Sequence, residues 1–305
     1  MHKGEQKPVP AYLQMSEEER LERVNKFYRI MNKCTFCPRR CRINRLQGER
    51  GQCGVAADLY ISSAGPHFGE ERELVGRRGS GTIFFSNCNL ACVYCQNWPI
   101  SRGVDTDRAG SIEELARTML YLQGSGCSNI NLVTPTPYLY HITAAIDRAA
   151  REGLNLPVVY NCGGYEAPGS LQLLEGFIDI YMPDVKYGSD RMGEKYSGVK
   201  DYYSRMKEAL KEMQRQVGDL KVGSDGTAYR GLLIRHLVLP DNLSESETVA
   251  RMLKEEISPG CAVNVMAQYH PAHMAAQYPF LNRRLNSKEF IKAREAFQKE
   301  GLRIL

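Results

Sequence analysis

Gly79-Ser80-Gly81-Thr82-Ile83-Phe84-Phe85-Ser86-Asn87-Cys88-Asn89-Leu90-Ala91-Cys92-Val93-Tyr94-Cys95-Gln96-Asn97-Trp98 joins a short apolar run to a loop that carries three cysteines, with gaps of three and two residues. Thr82 to Ser86 is rich in β-branched and aromatic side chains and has the length of a buried strand. The cysteines therefore sit just beyond a strand end.

Outward from this stretch the pattern repeats. Apolar runs recur at Asn129 to Thr134, Pro157 to Asn161, Phe177 to Met182, Leu232 to Leu239 and Ala262 to Ala267. Amphipathic helical patterns lie between them, at Ser111 to Gln123, Tyr138 to Arg151, Tyr202 to Val217 and Glu245 to Ile257. Strands alternating with helices predict right-handed parallel βαβ units, hence an α/β fold: a partial (β/α)6, TIM-like barrel. In such barrels the chemistry gathers at the C-terminal ends of the strands, so the loops after each apolar run hold the candidate site residues. Three segments are expected: residues 1–33 as a polar lead-in and helix, 34–80 as a cysteine-rich segment and linker, and 81–305 as the barrel. Ser16 is the expected N-cap of the helix Ser16 to Met31, read as an appendage outside the core.

The chain has 305 residues, 43% hydrophobic and 25% charged, with ten cysteines and a formal net charge of +5. Basic residues are spread rather than massed, so nucleic-acid binding is not indicated. The first residues lack the apolar core of a signal peptide and no later stretch approaches a membrane span, so a cytoplasmic location is expected. Reduced cysteines in that setting read as metal ligands rather than disulfides.

Three thiolates on one tight loop suit three irons of a cubane and leave a fourth iron open, unlike the four cysteines of an ordinary electron-transfer cluster. A zinc knuckle is the competing reading, but zinc in a structural role takes four ligands in a closed shell. On this motif the sequence resembles the radical S-adenosylmethionine (SAM) superfamily, in which an aromatic residue, here Tyr94, precedes the last cysteine. The resemblance implies a [4Fe-4S] cluster held by Cys88, Cys92 and Cys95, with SAM chelating the open iron. It also implies a one-electron donor such as flavodoxin or ferredoxin, and a 5′-deoxyadenosyl radical that abstracts hydrogen.

Further segments narrow the likeness to iron-sulfur relatives of the pyruvate formate-lyase activating enzyme. They are Pro66 to Glu71, Gly79 to Ser86, Tyr181-Met182-Pro183-Asp184-Val185-Lys186-Tyr187, Arg235 to Pro240, and Ala267-Gln268-Tyr269-His270-Pro271. The resemblance places Asn161 on the SAM ribose, and Asp184, Lys186 and His270 near SAM. A rim ion pair and a capping histidine are the bland alternatives. The activating enzymes carry Gly-Gly-Glu after their second strand; here Thr134-Pro135-Thr136-Pro137 stands there, making the Thr134 carbonyl and Thr136 hydroxyl the candidate acceptors for the SAM ammonium, with Glu166 as a carboxylate alternative. His67, Glu70 and Glu71 form a polar cluster upstream of the first strand that reads as a solvated, turn-making segment, the alternative being that it faces the substrate opening.

Cys34, Cys37, Cys41 and Cys53 form a second group in a turn-rich setting. Four thiolates suit either a structural zinc or an auxiliary iron-sulfur cluster. The activity expected is that of an activase-like radical SAM oxidoreductase whose substrate is not readable, a protein glycine being the one the resemblance suggests. The alternatives are a non-catalytic iron-sulfur or zinc protein in electron transfer or assembly, and a radical SAM modifier of RNA or peptide.

Overall fold

The computed structural model describes residues 8–102 and 109–305, so the first seven residues of the expected lead-in lie outside the described residues. Among the described residues nine strands form one open sheet: β1 (Ile61–His67), β2 (Ser80–Phe85), β3 (Ile130–Val133), β4 (Val158–Cys162), β5 (Ile180–Pro183), β6 (Lys221–Val222), β7 (Ala228–Leu237), β8 (Ala262–Met266) and β9 (Arg303–Ile304). Their order is β1-β2-β3-β4-β5-β7-β8-β9, with β6 paired to β7. The six expected strands are β2, β3, β4, β5, β7 and β8, and all pair in parallel. β1 adds an antiparallel edge and the barrel does not close.

Register aligns the strand ends on one rim. Phe84 stands beside Val133, Val133 beside Asn161, and Asn161 beside Met182. On the far side Asp184 bridges to Arg235, and Arg235 pairs with Asn264. The four strands β2 to β5 are buried almost throughout, which is why they read as continuous apolar runs rather than alternating ones.

Helices cover the outside. Ile112–Gly124 begins at Ser111, whose side chain accepts from Glu114 N while Glu114 answers the cap N–H, and it buries Leu115, Ala116, Met119 and Leu122 on one face. Glu17–Ile30 starts on the same capping box from Ser16 and Glu19. Contrary to its reading as an appendage, this N-terminal helix shares the barrel's core through Val24 and Phe27. The buried Arg20 guanidinium donates to Asp147 of the helix Leu139–Arg151 at 2.8 Å. Its polar sequence concealed this because the apolar stripe is narrow and the remaining anchor is an ion pair.

A second departure concerns Glu70 and Glu71, which are buried rather than solvated. Arg235 on β7 donates to both, and Asn264 on β8 donates to Glu71 at 2.8 Å. Burial opposes ionisation of Glu71, yet the hydrogen bonds and charge of Arg235 outweigh it and hold its carboxyl below the ordinary range. The loop after β1 is thereby tied across the open side of the barrel to β7 and β8.

Candidate functional site

β2 ends at Phe85, and Asn87 turns the chain with a left-handed φ of 69° before the three-cysteine loop begins. Neighbouring elements hold that loop by its carbonyls: Arg39 donates to Asn89 O, and Arg102 to Leu90 O at 2.6 Å. Each sulfur has an N–H or hydroxyl beside it. Leu90 N lies 3.4 Å from Cys88 Sγ, Ser197 Oγ 3.0 Å from Cys92 Sγ, and Ser101 Oγ 3.2 Å from Cys95 Sγ.

Burial, reinforced by the charges of Cys92 and Cys95, pushes the Cys88 thiol up to about 12. Thiols held like this ionise when a metal displaces their protons. All three open on one cavity of about 420 Å³ at the rim of the barrel. Among the described residues no three His, Cys, Asp or Glu side chains close on a point suited to a single ion, here or at the second cysteine group. A cubane asks for something else, thiolates standing apart around several irons. The donor set at this loop fits such a cluster.

Tyr94, Thr134, Asn161, Asp184 and Lys186 line the same cavity. Tyr94 is buried edge-on against Tyr187 and Tyr269, with ring centroids 6.4 and 6.0 Å away. Lys186 donates to Asp184 Oδ2 at 2.6 Å. Burial disfavours the Lys186 ammonium, but the charges of Asp184 and Cys92 outweigh that and hold its pKa well above the usual value. The Tyr202 hydroxyl fixes this loop, lying 2.8 Å from Asp184 O and 3.0 Å from Gly163 O while accepting from Lys186 N at 3.1 Å. Tyr202 went unread in the sequence because it opens a helix far along the chain.

Three sequence candidates, Thr136, Glu166 and His270, do not line the cavity. Thr136 is buried, and its hydroxyl donates to Glu166 Oε1 at 2.8 Å. Glu166 also accepts from Tyr160 at 3.1 Å, and burial pushes its carboxyl up to about 8 against the lowering effect of these hydrogen bonds, which disfavours an anion there. His270 lies at the surface, where its Nδ1 is 3.2 Å from Gln96 Nε2. Conversely, the cavity wall includes His67 and Glu70, for which facing the substrate opening is only the lesser reading of the sequence, and Arg235 and Asn264, which were not candidates. Their convergence is visible only in the fold, since a charge cluster in sequence carries no sign of its partner 164 residues away.

In the second group Cys34 and Cys53 are buried, and Cys37 is pushed up to about 12 by burial. Cys41 stands against Gly51, where an added Cβ would come within 3.0 Å of its sulfur. Asn87 Nδ2 donates to Cys53 O at 2.9 Å, so the two cysteine segments touch.

A family model described as the radical SAM superfamily matches residues 82–230. An uncharacterized protein of Methanocaldococcus jannaschii is 35% identical over 286 residues, spanning 90% of this chain and 77% of that protein. A radical SAM methyltransferase from Sphaerobacter thermophilus superposes with a TM-score of 0.52 at 13% identity, covering 98% of this chain and 94% of the other. The FeFe-hydrogenase maturase HydG from Carboxydothermus hydrogenoformans superposes with a TM-score of 0.50 at 16% identity, covering 72% and 50%. Likenesses this distant speak for the fold alone. No helix among the described residues is long and apolar enough to cross a membrane.

Proposed function

The chain belongs to the radical SAM superfamily, and from that premise we propose that Cys88, Cys92 and Cys95 hold the [4Fe-4S] cluster at which it reductively cleaves SAM. With cluster and SAM bound, one electron from a donor such as flavodoxin or ferredoxin would cleave SAM to methionine and a 5′-deoxyadenosyl group able to take a hydrogen atom from the substrate and leave as 5′-deoxyadenosine. The observation that carries this reading is the convergence of three thiols, Asn161 and the Asp184–Lys186 pair on one cavity. Such a cluster would supply the electron, and the chain's own residues would place the nucleoside. In this reading the Asn161 amide meets the ribose hydroxyls, Thr134 faces the methionyl end, and Tyr94 packs beside the cluster.

The substrate proposed is a glycine Cα of a partner protein, which rests on the likeness to activating enzymes. The second proposal is that Cys34, Cys37, Cys41 and Cys53 bind a separate metal, zinc or an iron-sulfur cluster, zinc requiring the four sulfurs to draw together from where they stand. The test of the first is whether anaerobically reconstituted protein turns SAM into 5′-deoxyadenosine under reduction. Absence of that product from a protein that carries its cluster overturns the catalytic reading in favour of electron transfer or assembly.

A further inference from the structure

Arg45 is only 3% exposed, in the 3₁₀ turn Arg45–Gln47 between Cys41 and Cys53. Its guanidinium lies over the Phe36 ring at 4.9 Å, and Nη1 donates to Pro137 O at 2.5 Å. Nη2 faces Cys53 Sγ at 3.5 Å, and Nε is buried with no hydrogen-bond partner. Among the described residues no carboxylate pairs with it. The other buried guanidiniums differ: Arg20 meets Asp147, and Arg235 meets Glu70 and Glu71.

A guanidinium out of water without an anion is costly, and it cannot shed its proton to escape. Breaking a buried pair by removing one partner is strongly destabilising for the same reason. The charge-bearing groups beside Arg45 are sulfurs, which bear negative charge when they bind a metal. A divalent ion or a cubane held by four thiolates leaves a net negative centre.

We propose that Arg45 is the buried counter-ion of an anionic metal–thiolate centre built on Cys34, Cys37, Cys41 and Cys53. This rests on the second-metal reading above and adds to it the group that makes the metal-bound form electrically complete. The competing explanation is that Arg45 merely anchors the turn Thr136–Tyr138 through Pro137 O. The two explanations differ in sign. A counter-ion burdens the metal-free protein and supports the loaded one, whereas an anchor supports both.

The experiment uses the full chain with Cys88, Cys92 and Cys95 all replaced by Ala, so that any bound zinc or iron belongs to the second site. Elemental and sulfide analysis of anaerobic preparations distinguishes zinc from a cluster. Arg45→Met in this background is expected to lose metal to a chelator at least fivefold faster. Its metal-free form should melt about 2 °C or more above the metal-free parent, and its loaded form below the loaded parent. Arg45→Lys, which keeps the charge, should retain metal within twofold of the parent. Lower melting of Arg45→Met in both states, or failure to obtain it soluble without metal, assigns the anchor role and overturns the proposal. A parent that binds no metal overturns the second-metal reading itself, without touching SAM cleavage at the first cluster.

Discussion

The two cysteine groups handle charge in opposite ways. At the three-cysteine loop the nearby cation, Lys186, is already matched by Asp184, so that rim is balanced before any cofactor enters. At the N-terminal segment the buried cation, Arg45, meets a carbonyl, a ring and a sulfur but, among the described residues, no carboxylate. The first group opens on a cavity shared with Asn161, Asp184 and Lys186, while in the second Cys34 is buried and Cys41 and Cys53 border a separate pocket of about 520 Å³ lined by Arg39 and Arg50. On the proposal above, a buried guanidinium without a carboxylate is completed by charge that arrives with a metal. Where the charges are matched and a cavity remains, the fold has made room for a ligand to come and go.

The largest expected effect breaks the first side of this comparison. Cys92→Ala removes a thiol that lies against Ser197 at the cavity wall, and SAM cleavage by the reconstituted protein should be abolished. Full 5′-deoxyadenosine formation by that variant would detach the three-cysteine loop from the chemistry altogether.

Next comes the wall that the sequence hid. The six parallel strands and the cysteine loop were legible because burial on both faces writes an apolar run, and because ligand spacing on one loop is local. The role of Glu70 and Glu71 was not legible, since both read as polar turn residues until Arg235 and Asn264 are folded against them. Thr136 misled in the other direction: its place after β3 was right, but its hydroxyl turns inward to Glu166. Periodicity reports which face is buried, not which buried polar group meets which. Glu71→Gln should cost about 2–4 kcal/mol, by weakening a buried pair, and lower the melting temperature by several degrees. A melt indistinguishable from wild type would mean that the tie from β1 to β7 and β8 carries no stability.

A smaller effect is expected at the matched pair. Lys186→Met leaves Asp184 facing the cavity alone, and the SAM dissociation constant should weaken about tenfold, the worth of roughly one charge-assisted hydrogen bond. Removing Asp184 as well should recover part of the loss, because the remaining charge goes with it. If the double variant Asp184→Asn, Lys186→Met binds SAM worse than Lys186→Met by a further tenfold, the two residues are separate SAM contacts and not a balanced pair.

The smallest effect on SAM is expected behind the cavity, at Glu166. Its carboxyl is raised from 4.5 to about 8 by burial, so the folded protein holds a proton there that the unfolded chain gives up. Where the native state binds more protons than the unfolded state, stability falls as pH rises. Glu166 therefore costs nothing below about pH 4.5, and its burden grows from there to about pH 8, then levels off. Asp179, raised by burial to about 6, adds a slope of the same sign, but it is common to wild type and variant and cancels in their difference. Glu166→Gln keeps the shape without the proton, so its melting temperature relative to wild type should climb between pH 5 and pH 8. Thr136→Val and Glu166→Gln should each change the SAM dissociation constant by less than about twofold, since neither side chain faces the cavity and a lost direct hydrogen bond of about 1 kcal/mol would show as roughly fivefold. A tenfold weakening by Glu166→Gln, with no change in the pH dependence of melting, would instead make this carboxylate an ionised partner of the SAM ammonium, and the cavity wall would then have to open between Thr134 and Glu166 when SAM binds.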